Sequence, residues 1–460
     1  MKNSNDAIRD ARTLGIPKML ILGLQHMFAM FGATILVPIL VNSYFQEACG
    51  EPLTRGLTVS VTLFCAGFGT LFFHACTKMK VPAFLGSSFA FLGGFSTVAN
   101  LSNGMYANMP ADEKVAYACG GIVIAGLLYL VLALIIRLVG VKRVMRYLPP
   151  VVTGPVIICI GLSLASSAIG NASQNWLLAV IALAVIIIFN IWGKGMFKII
   201  PILMGVIIAY GAALIMNACG LTNPDGSAIL DFASIGSASW VGLPPFQICK
   251  FDLTAVLVMA PIAIATMMEH VGDISAISAT VGENYLADPG LNRTLLGDGL
   301  ATSIAGFIGG PANTTYGENT GVLELSRVFD PRVIRIAAVF ALIISFIPKV
   351  SAIIGTMPSA IIGGVSFMLY GMISAIGVRN VVENKVDLTK SRNLIIVGVI
   401  FVCGLGFSDG ITFVVGGTSI TLTALAIAAI AGIVLNIILP GNDYEFGANP
   451  KGDENRGIHQ

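Results

Sequence analysis

FIGGPANTTYGENTG, residues Phe307 to Gly321, separates two long apolar runs with adjacent glycines, a proline, several threonines and asparagines, and one carboxylate, Glu318. Lipid offers backbone amides no hydrogen-bond partner, so irregular polar backbone at membrane depth survives only where protein buries it or where it lines a cavity. The stretch therefore reads as a broken membrane passage facing a site. A carboxylate at such a break points to function by default.

The rest of the chain agrees with a membrane setting. Of its 460 residues 56% are hydrophobic and 11% charged, and the mean hydropathy is +0.87. That is less than half the usual charge of a soluble domain. A net charge of +2 with no basic run argues against nucleic acid as a partner. The eight cysteines include no C-x-x-C and mostly fall in apolar runs, where they act as packing residues. Residues 1–15 are polar and mixed in charge, unlike a cleaved signal peptide, so the first span is expected to remain.

Apolar runs of spanning length lie at about 17–41, 56–77, 115–139, 150–170, 176–192, 197–217, 253–280, 333–349, 351–377, 393–409 and 417–440. Three less regular passages, at about 81–100, 291–309 and 312–328, raise the number to fourteen. Threading fourteen spans with the N-terminus inside leaves only Arg55, Lys114, Lys250 and Lys349 outside, of 26 basic residues. Such an asymmetry is what short cytoplasmic loops produce. The chain is thus expected to be an all-α polytopic membrane protein with both termini cytoplasmic.

A second interrupted passage, VPAFLGSSFAF at 81–91, resembles the first. The two are third of seven and tenth of fourteen, so two seven-span halves would carry them at matching places with opposite topology. Paired breaks in inverted repeats are the best sequence pointer to a transporter's midplane binding site. Two small-residue helices packed closely would be the plainer explanation, but it gives Glu318 nothing to do.

Span eight holds MMEHVGDIS, in which Glu269 and Asp273 are four residues apart and share a helix face. Two carboxylates stacked at low dielectric resist ionising together, which favours proton binding by one of them, as a proton-coupled carrier requires. Asp298, in LLGDGL, has no basic neighbour in sequence, and an interhelical hydrogen bond and a part in coupling are both open to it. His26 follows Gln25 in the first span and is a candidate for coupling or for a bond across helices. His74, close to Lys78, is expected at the solvated interface.

Catalytic and metal motifs fail on inspection. An inverted zinc-protease pattern needs His where Thr266 stands, and an intramembrane aspartyl-protease pattern needs Gly where Leu295 stands. No Walker-type phosphate loop is present. No cofactor, metal or catalytic residue is therefore expected, and the protein is read as a carrier rather than an enzyme. A ligand with both carbonyl oxygens and ring N–H groups would satisfy the amide donors of a broken helix and the acceptors of Glu269 and Glu318.

QHMFAMFGATILVP (25–38), VPAFLGSSFAF (81–91), EHVGD (269–273), DPGLNR (288–293), NTTYGEN (313–319) and LYG (369–371) closely resemble the nucleobase–ascorbate transporter family, in particular its bacterial uracil permeases. The resemblance runs in order from about residue 13 to 440. It implies fourteen spans in two inverted repeats. Residues 1–148 and 253–349 (spans 1–4 and 8–11) would form a core domain, and 149–218 and 350–440 (spans 5–7 and 12–14) a gate domain. An extracytoplasmic loop at 219–252 and a disordered cytoplasmic tail at 441–460 complete this division. Short antiparallel strands in spans 3 and 10, proton symport, a bacterial inner-membrane location and a homodimer formed through the gate are implied as well.

Carried over by residue, Glu269 and Glu318 look like the side chains that bond the nucleobase. Phe89 and Gly317 look like the backbone donors to its carbonyls, and Ala33, Ser88, Tyr316 and Tyr370 like pocket wall. Asp273 stands where uracil permeases usually have His and purine carriers Asp. Glu318 stands where xanthine and urate carriers usually have Gln. Weighing the direct substrate contact more heavily favours uracil, with proton and membrane lipid as further partners. A xanthine or other purine proton symporter is the alternative, and an anion carrier of related architecture a more distant one.

Overall fold

The computed structural model describes residues 7–407, 410–415, 418–442 and 444. The tail expected at 441–460 falls almost wholly outside them. Long helices dominate: α1 (Ile16–Cys49), α2 (Val59–Cys76), α3 (Leu92–Ala99), α4 (Ala111–Val139), α5 (Pro150–Ser163), α6 (Trp176–Trp192) and α7 (Pro201–Ala218) come first. The second half supplies α8 (Ile262–Val281), α9 (Leu291–Phe307), α10 (Gly317–Ser326), α11 (Pro331–Ser345), α12 (Ser359–Glu383), α13 (Ser391–Gly406) and α14 (Ala424–Ile438). Among the described residues seven helices are long and apolar enough to cross a membrane unaided, or eight with α11 and the segment Pro348–Gly355, bent by 83° at Phe346–Ile347, taken as one. This is a multi-pass membrane protein.

Both interrupted passages break as the sequence requires. Pro82 and Pro311 lack the amide hydrogen a helix needs, and each passage opens into a three-residue strand, β1 (Leu85–Ser87) and β2 (Asn313–Thr315). The strands pair antiparallel, Leu85 with Thr315, Gly86 with Thr314 and Ser87 with Asn313. Ser88 N donates to Ala312 O at 2.8 Å and Tyr316 N to Phe84 O at 3.0 Å, which extends the ladder at both ends. Neighbouring hydroxyls satisfy the outer edges: Leu85 N donates to Thr70 Oγ1 (2.9 Å), and Thr302 Oγ1 donates to Asn313 O (3.0 Å). An unmet amide in hydrocarbon costs several kcal/mol, so these Thr side chains on α2 and α9 make the breaks tolerable.

Gly86 has a steric reason. A Cβ there would lie 2.4 Å from Tyr316 Cζ and 2.8 Å from Thr34 Oγ1, so the Tyr316 ring occupies space that any other residue would fill. Close approach also joins α4 to α9, where Cβ atoms on Gly126 and Gly299 would lie 2.5 and 2.7 Å from each other's carbonyl oxygens. Small residues at a helix seam are how membrane helices pack without a hydrophobic driving force between them.

α2 packs on α9 and α11, and α4 on α9, whereas α12 packs on α5 and α6 and α13 on α14. α8 touches both sets.

Two expectations need correction. The chain is not wholly helical outside the two breaks: β3 (Ile411–Val415) and β4 (Thr418–Leu422) form a second antiparallel pair, and the last helix begins at Ala424 rather than near 417. ITFVV and TSITL are rich in β-branched residues, whose stiff side chains suit strand better than helix. His74 is fully buried, not solvated, and its Nε2 lies 2.9 Å from Ala83 O just before β1.

Candidate functional site

The two strand–helix junctions sit side by side because β1 and β2 pair. A turn at Phe89–Phe91 leads directly into α3, and α10 begins at Gly317, immediately after Tyr316. The first amides of a helix have no partner within it and carry its partial positive charge. Two such ends therefore face a common space.

That space is a cavity of about 100 Å³ lined by Phe89, Thr314, Tyr316 and Gly317 from the breaks, and by Glu269, Gly272 and Asp273 from α8. One ordered water needs roughly 10–15 Å³, so the volume suits a small solute. The wall opposite comes from α5 (Thr153, Ile157) and α12 (Ile373, Ile376, Asn380). Further out the cavity reaches Met145, Arg379 and Glu383, at the ends of helices bordering the basic loops.

Glu269 and Asp273 thus do share the face that looks into the cavity. Asp273, 8% exposed, accepts a hydrogen bond from Thr315 Oγ1 at 2.7 Å, which links α8 to β2. Tyr316 donates its hydroxyl to Ser87 O at 2.8 Å. Phe89 meets the Tyr370 ring edge-on at 5.8 Å, so Tyr370 touches the wall although it does not line the cavity. Ser88 is buried next to Phe89, with Oγ lacking a hydrogen-bond partner among the described residues, as does Thr314 Oγ1 on the lining. Ala33 is buried in α1 away from the lining. Glu318 belongs to the first turn of α10 by its backbone, and its side chain lies outside the described residues.

The remaining candidates are held elsewhere. His26 is fully buried and receives Asn319 Nδ2 at its carbonyl (3.0 Å) and at Nδ1 (3.3 Å), so α1 is bonded to the start of α10. Asp298 is fully buried with Oδ2 2.8 Å from His270 Nδ1. Sequence reasoning passed over His270, Thr315 and Asn319. The signal for His270 was its place between Glu269 and Asp273; for the other two it was their presence in the broken stretch.

With this geometry in view, comparison with known proteins is direct. Residues 17–413 match the model of the Permease family, Xan_ur_permease. The uracil permease of Bacillus caldolyticus is 40% identical over 449 residues, 94% of each chain. That of Bacillus subtilis (strain 168) is 41% identical over 436 residues, 91% of each. The chain belongs to the uracil/xanthine permease family. The fold reaches further than the sequence: the transmembrane domain of a cyanobacterial bicarbonate transporter, BicA, superposes with a TM-score of 0.56 at 16% identity, covering 84% of the permease and 96% of that domain. At that identity the likeness concerns architecture alone.

A second cavity of the permease, about 640 Å³, is lined by Ser96, Asn100, Ser163, Ser167 and Thr254, with Thr412 and Thr421 of the hairpin. Tyr44 of α1 closes one edge, its hydroxyl 3.0 Å from Ser167 Oγ.

Proposed function

We propose that the permease is a proton-coupled uracil symporter that imports the nucleobase by alternating access across a bacterial inner membrane. The observation that carries this reading is the shared cavity: two helix N-termini supply donors, and the acid-bearing face of α8 supplies acceptors. Uracil presents ring N–H groups and carbonyl oxygens on one small neutral ring, so both sets are used at once. In this reading Glu269 and Glu318 accept from the ring N–H groups, the amides of Phe89 and Gly317 donate to its carbonyls, and Tyr316 shapes the wall, with Tyr370 packed behind Phe89. Asp273 exchanges the coupling proton, with Asp298 and His26 behind it.

The same reading takes fourteen spans in two inverted repeats. A core (1–148 and 253–349) moves against a gate (149–218 and 350–440), with the loop 219–252 extracytoplasmic, both termini cytoplasmic and two copies joined through their gates. The relatives named uracil permeases support the substrate. A purine carrier is the second reading, favoured by Asp273; an anion such as bicarbonate would be repelled by the acids of α8.

The test is uptake of labelled uracil into proteoliposomes under an imposed pH gradient, with and without Na⁺, with xanthine as competitor. Acid-outside stimulation without Na⁺, and little competition by xanthine, is the expected result. Stronger competition by xanthine than by unlabelled uracil would replace the substrate. Glu269→Ala should abolish uracil binding, and unaltered affinity in that variant would remove the assignment.

A further inference from the structure

His270 and Asp298 form a buried polar pair that the binding site does not use. Both side chains are wholly inaccessible, and His270 Nδ1 lies 2.8 Å from Asp298 Oδ2, an ion-pair contact whose angles fall short of a hydrogen bond. The rings of Phe73 and Tyr129 stand edge-on to the imidazole, with centroids 6.3 and 6.5 Å away, and close it off from water. A lone carboxylate in such a place costs several kcal/mol, and its partner is what makes it tolerable. At low dielectric a change of charge nearby acts on such a pair with little screening.

Such a change is close at hand. Glu269 precedes His270 in the chain and Asp273 follows three residues later, so the cavity acids and His270 occupy adjacent faces of one helical turn. From the elements around α8, α4 contributes Tyr129, which is within electrostatic reach of Asp298, Glu269 and Asp273. α10 carries Glu318 and Glu324, α5 carries Cys159, and Asp288 in the turn before α9 is paired with Lys80. β2, α14 and the turn Phe89–Phe91 carry no titratable side chain.

We infer that His270 is a positioning residue for proton coupling: by holding Asp298 it ties α9 to the turn of α8 that presents Glu269 and Asp273 to the cavity. The pair alters its arrangement when a cavity acid is neutralised by a proton or by substrate. This rests on the symport reading above, and goes beyond it by assigning a role to a residue outside the cavity.

The test separates two activities in proteoliposomes. Exchange of labelled for unlabelled uracil at equal pH needs no net proton movement, whereas accumulation driven by a pH gradient does. His270→Gln should keep exchange within about threefold of wild type and lose at least about tenfold in gradient-driven accumulation, a change of roughly 1.4 kcal/mol in coupling. A parallel loss of both activities would make His270 a structural brace, and retention of both would remove any role; either overturns the inference. Should that variant fail to fold, ¹⁵N-histidine NMR of the wild-type protein in lipid reads the ring directly. A His270 signal that shifts on adding uracil supports the inference, and an invariant signal overturns it. Absence of any uracil exchange by wild type would instead refute the proposed substrate.

Discussion

Thr315 Oγ1 donates to Asp273 Oδ2 across 2.7 Å, and this bond joins a broken passage to the helix that carries the acids. Hydrogen bonds to charged groups contribute about 1.5–3 kcal/mol. Thr315→Val keeps the shape and removes the donor. Gradient-driven uptake should fall by about tenfold or more at neutral pH, while Thr315→Ser, which keeps the hydroxyl, should stay close to wild type. Initial uptake rates of the two variants side by side check this.

Gly86→Ala should disturb the site through Tyr316. The added methyl would lie 2.4 Å from the phenol ring, a distance real atoms do not hold. The ring must move, breaking its bond to Ser87 O. Overpacking of this kind costs about 1–3 kcal/mol. A lowered melting temperature in detergent, together with weakened protection by uracil, is expected.

Tyr44 and Ser167 hold α1 close to the segment that follows α5. If these two sets of helices separate during transport, a Tyr44→Cys/Ser167→Cys pair in a cysteine-depleted background should be bridged by a reducible bis-methanethiosulfonate reagent and stop net uptake. Reduction should restore it. Uptake that continues through complete cross-linking would show that this contact stays shut throughout the cycle.

Outside the membrane, residues 7–15 form a strap. Ile8 N donates to Arg327 O and Phe329 N to Ile8 O, both at 2.9 Å, and Ala11 N donates to Asp330 Oδ2 at 2.7 Å. Arg9 pairs with Glu283 beyond α8, and Arg332 with Asp10. The hydrogen-bonding Arg12 side chain lowers the Asp10 carboxyl to about 2. A carboxyl depressed in the folded state contributes stability above its unfolded value of about 4, and loses it as the pH falls toward 2. The strap should therefore be indifferent to pH between 5 and 8 and loosen only in strong acid. Hydrogen exchange at residues 8–12, corrected for its intrinsic pH dependence and followed from pH 8 down to pH 2, would detect it.

The breaks were legible because Pro82 and Pro311 stand among Gly, Ser, Thr and Asn; Pro38 and Pro155 sit inside α1 and α5, so the cluster and not proline alone carried the signal. Glu269 and Asp273 were legible as a pair because four residues is a helical repeat. What escaped was set by tertiary packing. Asp298 and His270 are 28 positions apart, and His26 and Asn319 nearly 300, with no periodicity linking either pair. The hairpin at Ile411–Leu422 was hidden for another reason. Its β-branched apolar residues score as membrane span on hydropathy alone, and only their alternation and the glycines between them carried the signal for strand.

The ladder between β1 and β2 ties the starts of α3 and α10 to one rigid unit. Any displacement that leaves those few peptide bonds paired conveys both donor ends together, and a solute seated between them rides along without exchanging its hydrogen bonds. The work of translocation would then be done at the sliding contacts with α5 and α12, leaving the grip on the cargo unchanged from one side to the other.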